Sequence, residues 1–205
     1  MHAGDANLFD MKVLRNGIAV MCLLALISCA NLPKTIETNI SPEKIDGFDL
    51  SARISVKFKH DGFSGSTVWK HLRESDELWL YGPLGQLTAK LQQVPTEARL
   101  VTSDQKLITA STVEVLTHEV LGWSLPLSGL RYWILGQVSP VTIQATTKIN
   151  AENRVVEIQQ DGWTILISEY RRYDQGVLPA KIQMRYSDLE MRLVIDSWVI
   201  TEFHP

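Results

Sequence analysis

The run FDLSARISVKFK, residues 48–59, decides how the rest of the chain reads. Phe48, Leu50, Ala52, Ile54, Val56 and Phe58 alternate with Asp49, Ser51, Arg53, Ser55, Lys57 and Lys59. A helix would scatter those apolar side chains around its axis, whereas an extended chain places them on one face and the charges on the other. Unbroken period two over this length specifies a long strand with one dry and one wet face. Working outward, His60-Asp61-Gly62 reads as a hairpin turn. The next run, 63–71, carries Gly65, which marks a bend or bulge. Further strands are expected at 77–81, 86–94, 97–102 and 106–110.

The period then switches. Ser111 and Glu114 have capping-box spacing, and Val115, Leu116 and Val120 line a helical face that ends at Gly122. A second short helix is expected from Pro126 to Gly136, with Leu127, Leu130 and Ile134 on one face. After Pro140 the strand pattern resumes at 141–147, 155–160, 164–170, 180–186 and 189–200, with turns at Asp161-Gly162 and Asp188. About ten or eleven antiparallel strands must close or wrap around something. The reading is a mainly β chain, a single curved antiparallel sheet facing a helical plug. A flat two-sheet sandwich fits the same periodicity.

With 205 residues, 45% hydrophobic and 21% charged, the chain has the composition of a globular domain with a real core. A net charge of −3 argues against a nucleic-acid partner. Near the N-terminus, Lys12 and Arg15 precede the apolar run 17–27, then Ser28, Cys29 and Ala30, the pattern of a secretory signal. The run is too short for the roughly 20 apolar residues of a spanning helix. Asp5 and Asp10 ahead of the basic residues leave both Met1 and Met11 open as starts. Leu26-Ile27-Ser28-Cys29 resembles the lipobox of bacterial lipoproteins, which implies that Cys29 becomes the first mature residue and carries acyl chains. Ala30, rather than Asp, favours the outer membrane. The expected organisation is a signal at 1–28, a lipidated flexible tether at 29–44 and one domain at 45–205. Cys22 lies in the signal, so the mature chain keeps Cys29 alone and forms no internal disulfide.

Catalytic patterns are few. Gly62-Phe63-Ser64-Gly65 lacks the glycine spacing of a nucleophile elbow. His118-Glu119 has no second histidine at metalloprotease spacing, and His60, His71 and His204 fall in unrelated segments. No glycine-rich phosphate loop occurs. The expectation is a protein that is not an enzyme, without metal or cofactor.

A set of ordered motifs carries a family resemblance: Gly65 with Val68-Trp69, Tyr81-Gly82-Pro83-Leu84-Gly85, Leu121-Gly122-Trp123, Leu125-Pro126-Leu127, Leu130-Arg131-Tyr132-Trp133-Ile134-Leu135-Gly136, Gly162-Trp163, Leu178-Pro179-Ala180 and Ile195-Asp196-Ser197-Trp198-Val199-Ile200. Over roughly 45–200 the chain resembles the LolB family. That resemblance implies an incomplete, half-open β-barrel of about 11 strands with a helical lid over an apolar cavity. It implies an outer-membrane lipoprotein on the periplasmic face, anchored through Cys29. Such a protein takes triacylated lipoproteins from the LolA–lipoprotein complex and inserts them among outer-membrane phospholipids without ATP. A monomer is expected.

On that reading the candidates for the acyl-chain cavity are Trp69, Trp133, Ile134, Trp163 and Trp198, each equally at home as plain core. Leu84, between Pro83 and Gly85, matches the family's membrane-inserting leucine. Two other binding classes stay open: a lipocalin-like outer-membrane lipoprotein holding a free lipid, and an assembly lipoprotein that docks by a sheet edge.

Overall fold

The computed structural model describes residues 45–142 and 144–202. The expected signal, Cys29, the tether and His204 lie outside the described residues. The chain forms β1 (Ile45–Phe58), β2 (Asp61–Leu72), β3 (Ser75–Tyr81), β4 (Leu87–Val94), β5 (Glu97–Thr102) and β6 (Leu107–Ala110). Two helices follow, α1 (Val113–Leu121) and α2 (Leu127–Trp133). The strands β7 (Ala145–Ile149), β8 (Val155–Gln160), β9 (Trp163–Tyr173), β10 (Gly176–Tyr186) and β11 (Leu189–Glu202) complete the elements among the described residues.

All eleven strands belong to one antiparallel sheet in the order β6-β5-β4-β3-β2-β1-β11-β10-β9-β8-β7. The first and last strands pair at its centre, from Ile45↔Glu202 to Phe58↔Leu189, and the sheet is not closed between β6 and β7. The expected half-open architecture is therefore correct, and the two-sheet sandwich is not formed. The reason is visible in the chain order. The stretch between β6 and β7 is the helical one, so the two edges are joined by helices rather than by hydrogen bonds. Both edge strands are short, which limits the unpaired backbone exposed to other chains.

The alternation in β1 works as read. Phe48, Leu50 and Ala52 are buried and Asp49 and Arg53 face water. Gly65 interrupts nothing: the β1–β2 register runs without a shift from Gly47↔Leu72 to Phe58↔Asp61. Its meaning is close approach, because a Cβ there would lie 2.0 Å from the Tyr81 carbonyl oxygen.

The helix start also differs from expectation. Thr112, not Ser111, is the N-cap, and its side chain accepts from the Val115 amide. Glu114 then stands one residue too early to complete a capping box. Its carboxylate instead accepts from the Ser128 amide and hydroxyl, tying α1 to α2. The buried face of α1 is accordingly Val113, Leu116 and Thr117, with Val115 turned outward. In α2 the expected Leu127, Leu130 and Ile134 are all buried.

The strand expected at 141–147 begins only at Ala145. The buried side chain of Gln160 explains the delay. Its Oε1 accepts from the Ser139 amide, and its Nε2 donates to the Ser139 carbonyl and the Thr142 hydroxyl, so the preceding segment is held by a side chain instead of a ladder.

Candidate functional site

A cavity of about 690 Å³ lies between the concave face of the sheet and the helices, within the ~300–1,000 Å³ range of sites that enclose small apolar ligands. Its wall is the dry face of the strand pattern: Leu50, Ile54, Val56 and Phe58 from β1, Leu78 and Leu80 from β3, Leu91 and Leu100 from β4 and β5, Met184 and Met191 from β10 and β11. The cover comes from Val120 and Leu121 of α1, Trp123 and Leu125 of the connection, and Leu130 of α2. Thr117 joins these parts: its hydroxyl donates to the Val113 carbonyl and accepts from the Leu125 amide.

The structure brings one of the five candidate lining residues, Trp69, to the cavity wall. Trp69 is held by a buried carboxylate. Asp76, its side chain fully shielded, accepts from Trp69 Nε1 at 2.8 Å and Arg131 Nη2 at 2.7 Å, and lies 2.9 Å from His71 Nδ1. Since Arg131 belongs to α2, this ion pair fastens the lid to the sheet. Trp133, Ile134 and Trp163 pack away from the wall. Trp133 donates to Gln160 and stands 5.8 Å from Trp163, which stacks on Tyr186. Trp198 backs the wall at one remove. Its ring meets Phe48 edge-on at 5.5 Å, and its Nε1 donates to the Pro179 carbonyl. The lining that sequence reasoning missed consists of ordinary apolar strand residues, whose signal is the strand alternation itself, and Trp123 of the α1–α2 connection, which no periodicity marks.

The cavity opens at one rim of the sheet. The turns at 59–60, 82–86, 103–106, 161–162 and 187–188 all lie there, as the registers Phe58↔Asp61, Gln160↔Trp163 and Tyr186↔Leu189 require. Asp61, Phe63, Ser103 and Leu121 line the cavity at this rim. Leu84 projects from the 82–86 turn with 94% of its surface exposed, so it is not folded back onto the core. The turn is closed by Gly85 N–H donating to the Gly82 carbonyl, and Gly85 has φ +81°, which a side-chain-bearing residue rarely adopts. No helix among the described residues is long and apolar enough to cross a membrane.

These features define a class: a half-open antiparallel barrel with a lidded apolar cavity and a protruding apolar turn at its mouth. The sequence model of the family described as "Outer membrane lipoprotein LolB" matches residues 46–198. The chain belongs to that family. It is 35% identical to the outer-membrane lipoprotein LolB of Nitrosomonas europaea over 86% of this chain and 88% of the relative. It is 31% identical to that of Nitrosococcus oceani over 92% and 98%. In fold alone it resembles a crystal structure of a DUF1329 family protein from Desulfovibrio piger, with a TM-score of 0.51 at 7% identity over 76% of this chain and 86% of that one. Membership places the chain among outer-membrane lipoproteins with a role in lipoprotein localisation, a trafficking family and not one of enzymes.

Proposed function

We propose that the chain accepts the acyl chains of lipoproteins delivered by LolA into the cavity and releases them into the inner leaflet of the outer membrane, anchored there through acylated Cys29. The observation that carries the reading is the apolar cavity of about 690 Å³ opening beside the exposed Leu84. Three acyl chains of about 16 carbons carry some 45 methylenes, and at ~0.8 kcal/mol each their exposure to water would cost on the order of 35 kcal/mol. Passage must therefore run from cavity to cavity and then to bilayer. The last step is downhill without ATP because a bilayer covers the chains more completely than an open half-barrel does. Trp69 contributes to the wall. Trp133, Ile134, Trp163 and Trp198 act as the fixed apolar support behind it.

The test is direct transfer. The mature chain beginning at residue 30, which lacks the acylated cysteine, is incubated with a LolA-bound triacylated lipoprotein. Co-purification of intact lipoprotein with the chain is expected, followed by its appearance in added vesicles without nucleotide. Capture of free fatty acid or phospholipid but never of an acylated protein would overturn the assignment in favour of a lipocalin-like binder.

A further inference from the structure

The outer face of the sheet beside the Leu84 turn is unlike the rest of the convex surface. Directly paired residues share a face, and Leu78 and Leu80 of β3 point into the cavity. Trp79 and Tyr81 therefore point outward. So do their partners, which fall into rows across the strands. Nearest the turn lie Tyr81 and Leu87. One pleat repeat further in, the row runs Val68–Trp79–Lys90–Val101–Leu107. Another repeat in, it runs Lys70–Glu77–Gln92–Arg99–Thr109. The two rows nearer the turn are mainly apolar, with Tyr81 and Trp79 as their aromatic rings, and the third is fully polar, over two steps of about 7 Å each.

None of Trp79, Tyr81, Leu87, Val101 and Leu107 belongs to the core, and Leu87 and Leu107 are 46% and 59% exposed. Lys70 and Lys90 lay their ammonium groups over the Trp79 ring at 5.9 and 5.1 Å. Elsewhere the convex face carries charges such as Arg53, Lys57, Arg185 and Arg192, among which Leu72 and Val199 are exposed apolar side chains flanked by polar ones. A leucine tip, then aromatic rings, then lysines on apolar stems is the order in which residues meet hydrocarbon, interface and water at a bilayer.

We infer that the outer face of β3–β6 is a second bilayer-contact surface, continuous with Leu84, which lays the cavity mouth against a phospholipid membrane. It rests on the reading of Leu84 as the inserting residue and extends it from a point to a strip. The contact is apolar, not electrostatic. The rim turns carry Lys59 and Lys106 against Asp104, Asp161 and Asp188, and Lys90 and Lys70 are paired with Glu77 and Asp49.

The experiment uses the mature chain from residue 30 with vesicles of phosphatidylethanolamine and phosphatidylglycerol, read by flotation. Leu107→Glu, with Leu84 intact, is expected to weaken vesicle binding about tenfold, the least that a buried leucine contributes. Thr109→Glu, in the polar row, should leave it unchanged. Trp79 emission should be quenched by phospholipids brominated near the headgroup, and Trp79→Phe should remove that quenching. Acceptance of lipoprotein from LolA should be unaffected by Leu107→Glu, with circular dichroism checking the fold. If Leu107→Glu binds vesicles like the parent while Leu84→Glu does not, the strip is no contact and only the Leu84 reading survives. Loss of acceptance with vesicle binding intact would make the strip a protein-docking face and overturn the inference. If Leu84→Glu also binds normally, the proposed function itself has failed at its membrane step.

Discussion

Leu84 and Asp76 show how differently single residues carry this design. Leu84 makes no packing that its loss would disturb, being almost wholly exposed in a turn fixed by backbone bonds and Gly85. Burying it in a bilayer would yield only about 1.5–3 kcal/mol, so the role proposed for it is a local step and not that of an anchor. Leu84→Glu is expected to leave thermal unfolding and lipoprotein acceptance unchanged and to cut deposition into vesicles at least tenfold. Cargo deposited at the parental rate would end that role. Asp76 is the opposite case. Its fully shielded carboxylate serves Trp69, His71 and Arg131, so truncating it strands a guanidinium that is itself largely covered. Asp76→Ala should lower unfolding stability by roughly 3 kcal/mol in urea, the low end for breaking a buried pair because Arg131 keeps some water contact. Adding Arg131→Met to Asp76→Ala should recover the part of that loss due to the stranded guanidinium, while the part due to the unpaired Trp69 Nε1 remains. A double variant as unstable as the single one would show that the pair is not what is being measured.

The elements were legible in the sequence to different degrees, and the differences are physical. Long half-buried strands announce themselves, because each residue of β1 votes for the same face. Helix α1 was legible as a helix, but its cap was not. Ser111 and Thr112 are chemically alike, and the choice fell to Thr112 once the Val113 amide was taken by Gln93 Oε1 of β4. The late start of β7 depends on Gln160, one glutamine among many in the sequence, whose bonds are made only after β8 is placed. Cavity wall and solid core draw on the same alternating apolar residues, so sequence alone assigns Trp133 and Trp69 the same prospects. What separates them is where the lid rests. Gly136 (φ +75°), just past α2, sits over Tyr170 of β9, where a Cβ would meet the hydroxyl at 2.8 Å. Tyr170 donates to the Val155 carbonyl, and burial pushes its hydroxyl up to about 12 from the ordinary 10. The folded state thus favours the neutral phenol. That contribution is complete below pH 10 and is lost as the pH rises from 10 towards about 12. Unfolding midpoints in urea should fall over this window in the parent and less steeply in Tyr170→Phe. Equal slopes would remove Tyr170 from the alkaline limb.

At the scale of the whole molecule, the position of β1 sets a constraint on how an anchored protein can work. Ile45 begins at the end of the sheet opposite the rim, because Gly47 pairs with Leu72 while Phe58 pairs with Asp61. Tyr81, the last residue before the Leu84 turn, is level with Ser66 and hence with Arg53 on β1. Leu84, beyond it, stands about eleven residues along the strand from Ile45, or ~36 Å at 3.3 Å per residue. If acylated Cys29 and Leu84 are to reach the same leaflet, the sixteen residues from Cys29 to Lys44 must span that length back towards the rim. Fully extended they reach at most ~53–58 Å, enough with modest slack. Deleting residues 36–43 leaves eight, which reach no more than ~29 Å. The lipidated deletion variant is therefore expected to accept lipoprotein from LolA normally yet deposit it poorly in the membrane that holds its own anchor. The same deletion in the chain from residue 30, free to approach vesicles in any orientation, should deposit at the parental rate. A glycine-serine segment of equal length restored between residues 35 and 44 should rescue the anchored form, because reach and not sequence is the quantity at stake. Normal deposition by the shortened, anchored protein would mean that the rim does not have to face the bilayer at all.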